Sequence, residues 1–95
     1  MAGKSKLISY NLTGIKIDDL EIHNLINLKK LSISEEVVLL PLGAFSNKKL
    51  LKKVYFEPKS QIRKIPEGCF FNCTSLEVIN ELPSMLVSIE EKAFT

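Results

Sequence analysis

Ninety-five residues allow at most one small domain, able to bury only roughly 60 to 65% of its unfolded surface. A hydrophobic fraction of 45% excludes a disordered tail, and 13 basic residues against 11 acidic leave a charge of +2, too slight to mark a nucleic-acid or anionic-membrane binder. No apolar run approaches the roughly 18 residues that a membrane-crossing helix needs.

The chain opens with Met1-Ala2-Gly3-Lys4-Ser5-Lys6, which leads into mixed polar sequence and not into the apolar core of a signal peptide. Gly3 stands one place late for myristoylation. As written, the chain is expected to be soluble and cytoplasmic. Residues 1–27 read as an N-terminal cap or atypical repeat. Within them an amphipathic helix over 20–31 competes, with Leu20, Leu25, Leu28 and Leu31 as its stripe. Ile22 and Ile26 broaden that stripe, and Asn24 and Asn27 interrupt it.

From Leu28 onward a repeat takes over. Ile22, Phe45, Phe70 and Phe94 recur at steps of 23, 25 and 24, and Ile17, Leu40, Ile65 and Ile89 keep the same steps in the same order. Leu28, Leu51 and Leu76 step by 23 and 25, as do Leu31, Val54 and Ile79, and Asn24, Asn47 and Asn72. A shared uneven spacing marks stacked repeats. The units are 28–50, 51–75 and an incomplete 76–95, with the extra residues confined to the connections after Phe56 and Ile79.

Each Leu-x-x-Leu-x-Ile segment places alternate residues on one side of a short strand. Strands are expected near 30–34, 53–57 and 77–80. No such strand is stable alone, but stacked at roughly 4.8 Å they form a parallel sheet with a continuous apolar interior. Pro41 and Pro66, each with a glycine two residues on, turn the chain, and the phenylalanine that follows plugs the interior from the opposite wall. The asparagines two residues later suit a turn, through backbone hydrogen bonding or a left-handed conformation. The expected architecture is a solenoid of about 3–4 repeats, in a right-handed coil with an irregular or 3₁₀ convex side.

Cys69 and Cys73 have the spacing of neither a four-ligand zinc site nor a disulfide scaffold, and His23 is the sole histidine. Cys69 falls in the small slot of Ala44 and Ala93, and Cys73 in the slot of Leu25 and Lys48. Both read as structural thiols.

The string Phe70-Phe71-Asn72-Cys73-Thr74-Ser75-Leu76, followed by Leu82-Pro83-Ser84-Met85-Leu86-Val87-Ser88-Ile89, resembles the BspA-type leucine-rich repeat over roughly residues 15–95. Three residues depart from that family's pattern. Ile22 replaces a phenylalanine, which suits a terminal repeat, Lys48 replaces a cysteine, and Glu90 stands at a preferred glycine. The last two make irregular loop geometry an expectation. The resemblance implies a non-enzymatic binding module, associated in this family with adhesion at the surface of bacteria and parasitic protists, or secreted. Members without export signals also occur, which leaves an intracellular scaffold as the alternative. Two sequons, Asn11-Leu12-Thr13 and Asn72-Cys73-Thr74, would permit glycosylation in a secretory route.

The outward strand positions give the candidate partner-binding face: Lys30, Ser32 and Ser34, beside Lys53, Tyr55 and Glu57, beside Val78 and Asn80. Together they form a concave patch with a basic rim and a central tyrosine, a residue enriched at interface hot spots. The same residues also serve as plain solvent positions of strands, where lysine blocks aggregation. A protein partner is expected, with no nucleic acid and no membrane insertion. The rival nucleic-acid patch would be Lys48, Lys49, Lys52, Lys53, Arg63 and Lys64, for which Tyr55 is the only stacking candidate. No catalytic set, metal site or cofactor is expected, since Cys69 and His23 lie two rungs, roughly 10 Å, apart. The incomplete last unit suggests a longer array, and the 95-residue chain is expected to self-associate through Leu86, Ile89 and the strand near Ile79.

Overall fold

The computed structural model describes residues 7–14 and 22–94. Ile17 and Leu20, named above in a rung and in the competing helix, lie outside the described residues. Alternation of polar and apolar residues produces four short strands that stack in parallel: β1 (Ser9–Leu12), β2 (Lys30–Ile33), β3 (Lys53–Phe56) and, after a short β4 (Lys64–Ile65), β5 (Val78–Asn80). A sixth, β6 (Ser88–Ile89), pairs in parallel with β4 to give a second, two-stranded sheet. Their registers align the repeat: Tyr10, Leu31, Val54 and Ile79 form one column, and Leu12, Ile33 and Phe56 another.

The expected strands are therefore present, with one more in front of them. β1 is read from Leu7-x-x-Tyr10-x-Leu12, which precedes Leu28-x-x-Leu31-x-Ile33 by 21 residues. That short step hid it. The competing helix does not form across 22–31. Two helical residues, Ile22 and His23, give way to tight turns, and the chain is extended by Lys30.

Those tight turns are themselves a repeat. Leu25 and Leu28 donate their N–H groups to the carbonyls of Ile22 and Leu25, Lys48 and Leu51 to those of Phe45 and Lys48, and Cys73 and Leu76 to those of Phe70 and Cys73. Each bond spans three residues, so the chain enters β2, β3 and β5 through the same 3₁₀-like descent. The wall opposite the strands is tied between turns by the N–H groups of Gly43, Phe45 and Asn47, which donate to Glu67, Cys69 and Phe71, and by Phe70 donating to Ala93.

Between these walls lies the core. Phe45, Phe70 and Phe94 stack with ring centroids 5.5 and 5.3 Å apart and planes within 18° and 12°. Ile22 continues the column and is buried, as are Leu40 and Ile65 in the neighbouring one. At the last described turn the columns open: Ile89 is 49% and Phe94 39% exposed. Leu82 does not return to the core either, being 45% exposed. β5 stops at Asn80 and Glu81 takes a left-handed φ of 51°, which absorbs the extra residue of that repeat. The two extra residues after Phe56 are looped out as an exposed Pro58-Lys59 turn, closed by the Ser60 N–H on the Glu57 carbonyl.

Glu90 leaves the backbone pattern unchanged. Ala93 donates to Glu90 as Ala44 does to Pro41 and Cys69 to Pro66. The irregularity falls two residues later, where Lys92 (φ 58°) occupies the left-handed slot of Gly43 (φ 61°) and Gly68 (φ 67°). A side chain in that conformation costs roughly 1 kcal/mol or more.

Two measurements follow from this packing. Phe70→Ala removes a plug with stacked neighbours on both sides and should cost roughly 3 to 5 kcal/mol in chemical denaturation. The same change at half-exposed Phe94 should cost much less, whereas equal losses would contradict a stack of neighbour interfaces. Lys92→Gly should raise stability by roughly 1 kcal/mol, since it relieves a side chain held at positive φ in a slot that Gly43 and Gly68 fill in the two turns before it.

Candidate functional site

Alternation along β2 and β3 sends Leu31, Ile33, Val54 and Phe56 inward and leaves Lys30, Lys53 and Tyr55 exposed, with Ser32 half-buried. The register then sets them side by side: Ser9, Lys30, Lys53 and Val78 in one outward row, and Asn11, Ser32 and Tyr55 in the next, with the backbone of Asn80 paired beside Tyr55. Lys30, Ser32, Lys53 and Tyr55, with Ser9, Tyr10 and Asn11 of β1 and Leu31, line a single open hollow of about 300 Å³. Tyr55 is 39% exposed there.

The other four candidate residues divide. Val78 is exposed and extends the lysine row without lining the hollow, and Asn80 holds the corresponding backbone place beside Tyr55. Ser34 and Glu57 are spent on the turns that leave the strands. Ser34 Oγ accepts the Glu36 N–H at 3.2 Å, and Glu57 Oε1 accepts the Glu35 N–H at 2.7 Å. Gln61 Nε2 donates to the Glu35 carbonyl at 2.9 Å, completing a bracket between two successive connections. Ser9 and Asn11 were missed as site residues because β1 was missed, although Leu7-x-x-Tyr10-x-Leu12 carries the same pattern.

The nucleic-acid patch does not assemble as the sequence suggested. Lys48 is only 8% exposed, its stem packed in the slot of Leu25 and Cys73. Burial pushes its ammonium below the usual value, against a smaller opposing influence of the Cys73 thiol. Lys53 lines the strand-face hollow, while Arg63 and Lys64 line a separate groove with Val38, Leu39, Gln61 and Met85.

The asparagine ladder is real for two of its three members. Asn47 (φ 63°) and Asn72 (φ 62°) are left-handed, and Asn72 Nδ2 donates to Asn47 Oδ1 at 2.9 Å. Asn24 is not left-handed. The amide nitrogen that would carry a glycan at the second sequon is thus engaged in the ladder.

Both cysteines are free. Burial pushes the fully enclosed Cys69 thiol up to about 12, partly offset by a backbone hydrogen bond at Phe45 and added to by Cys73. Burial also raises half-buried Cys73, against the backbone and charge of Lys48, and its Sγ donates to the Phe45 carbonyl at 3.0 Å. Neither is a ready thiolate at neutral pH.

The chain matches the family described as BspA type leucine rich repeat region, in six copies over residues 4–95. It belongs to that family. As a BspA-type leucine-rich repeat, its solenoid is of a kind that generally serves as a non-catalytic scaffold for protein interaction. No curated protein and no solved structure matches it. Among the described residues no group of three or more metal-binding side chains is gathered, and no helix is long and apolar enough to cross a membrane.

Thiol labelling tests the cysteine environments. With an aromatic disulfide reagent near pH 8, Cys73 should react slowly and Cys69 only on unfolding. Because the folded state favours the protonated Cys69, its contribution to stability is full below the ordinary value of 9.0 and declines as the pH climbs toward about 12. Rapid native labelling of Cys69 would contradict the packing.

Proposed function

We propose that this chain is a protein-interaction module that binds its partner on the strand face, around Lys30, Ser32, Lys53 and Tyr55. The observation that carries this reading is the hollow of about 300 Å³ to which three adjacent strands contribute and in which Tyr55 stands partly exposed. Lys30 and Lys53 are direct neighbours in the ladder, and like charges so placed repel. An acidic group on the partner relieves that repulsion, while Tyr55 supplies flat contact area and the hydroxyls and amide of Ser9, Ser32 and Asn11 supply hydrogen bonds. Val78 and Asn80 extend the contact along the stack, and Ser34 and Glu57 support it from the turns.

The partner decides between adhesion at a surface and an internal scaffold. Purified chain should be presented to matrix proteins and to cytosolic extract in parallel, with Lys53→Glu/Tyr55→Ala as the paired bait. A partner held by the wild type and lost by the double variant supports the strand face. Equal capture by both baits rejects it.

Self-association through the last turn is a second reading, favoured by the exposure of Leu82, Ile89 and Phe94 beside the open edges of β5 and β6. Sedimentation at rising concentration should show dimers or larger species of the 95-residue chain, and an added polar capping repeat should return it to monomer. A chain that stays monomeric at high concentration rejects this reading.

A further inference from the structure

The flank of the coil carries a second surface that the strand face does not explain. No backbone hydrogen bond joins residues 37–40 to 61–65 among the described residues, although the same stretch of the next turn is laddered by Val87 and Ser88 donating to Arg63 and Glu90 to Ile65. One edge of β4 is therefore paired with β6, and the other faces Val38 and Leu39 across a groove of about 350 Å³. The groove is walled by Val38, Leu39 and Met85, and Gln61, Arg63 and Lys64 also line it.

Its composition is unusual for a solvent face. Leu39 is 73% exposed, and Val87, one rung on from Arg63, is 79% exposed. Isolated apolar residues at a surface need no explanation, but a cluster bordering a groove does. The two cations between them have no ion-pair partner among the described residues. Reading across the turns, Arg63 lies between Val38 and Val87 in the repeat, and Lys64 between Leu39 and Ser88. The order is apolar, basic, apolar along the Arg63 column and apolar, basic, polar along the Lys64 column.

We propose that this groove is a second docking site and that it takes an extended peptide segment in which acidic residues alternate with large aliphatic ones. An extended peptide sends alternate side chains to opposite sides. One that runs along the groove therefore turns its acidic row toward Arg63 and Lys64 and its aliphatic row toward Val38 and Leu39. The guanidinium of Arg63 takes a carboxylate in a two-pronged hydrogen bond, and the apolar walls exclude water from that pair and strengthen it. A purely acidic ligand leaves the walls wet, and a purely aliphatic one leaves the cations buried and unpaired. The site shares no lining residue with the strand-face hollow and does not depend on it.

The test is fluorescence anisotropy with a labelled ten-residue peptide of alternating leucine and aspartate, beside versions with serine for leucine or asparagine for aspartate. The full chain should bind the first peptide and bind each control roughly tenfold more weakly. Arg63→Glu/Lys64→Glu and Leu39→Asp should each weaken binding by roughly tenfold, whereas Lys30→Glu/Lys53→Glu should leave it within about twofold. All of these positions are exposed. Any variant that fails to melt like the wild type is replaced by Lys64→Gln or Leu39→Ser, expected to weaken binding in the same direction. Equal affinity for the serine version, loss of binding through Lys30 and Lys53, or tighter binding of a single-stranded oligonucleotide through Arg63 and Lys64 would each overturn the proposal. So would failure to bind the leucine–aspartate peptide at all.

Discussion

Successive turns of this coil are held apart by parallel backbone hydrogen bonds, and the rise they impose, close to 4.8 Å, leaves each side chain one place to be. A residue must sit over its equivalent in the turn below or the ladder breaks. The phenylalanine rings obey that rise, with centroids 5.3 and 5.5 Å apart, so a single spacing serves both the strand wall and the aromatic wall facing it. Chain length can vary only where the backbone leaves the ladders, at the Pro58-Lys59 turn and at left-handed Glu81. Positive φ recurs at the same angular place at Gly43, Gly68 and Lys92, whichever residue stands there.

The core was legible because a ladder imprints its period on the sequence. Leu31, Val54 and Ile79 announce their contact by their spacing alone. β1 was illegible for the same reason, since its step of 21 residues falls outside the later range and its inward residue, Tyr10, looks like a surface one. The outward residues of β2 and β3 could be read from alternation. What alternation could not reveal is that Glu57 is consumed by the neighbouring turn, through a bond that runs across the coil to the Glu35 N–H, and that Ser34 is consumed within its own turn by the Glu36 N–H. Lys48 is the opposite case. Its slot is filled by Leu25 one turn away, and a lysine there buries its stem along the apolar column, which charge counting treats as a surface feature.

A net charge of +2 conceals how the cations are distributed. Lys30 and Lys53 lie on the strand face, Arg63 and Lys64 on the flank, and Lys48 is withdrawn from solvent. Segregation of this kind gives two small positive surfaces with different company, hydroxyls and a phenol on one, bare aliphatic groups on the other. Electrostatic attraction on either is local and falls off within roughly 8 to 10 Å at physiological salt. Shape and apolar contact must then do the selecting once a partner has arrived.

The amide column formed by Asn47 and Asn72 is directional. Nitrogen on the later turn donates to oxygen on the earlier one, so the two residues are chemically alike and functionally unequal. Slow loss of the side-chain nitrogen, the common ageing reaction of asparagine, therefore falls on them differently. At position 47 it leaves a carboxylate that still accepts, and more strongly, from the amide above. At position 72 it removes the donor and sets a negative oxygen against the carbonyl of Asn47, in a turn already held at positive φ. Hydrolysis to aspartate thus breaks the amide contact when it falls on the later turn and keeps it when it falls on the earlier one.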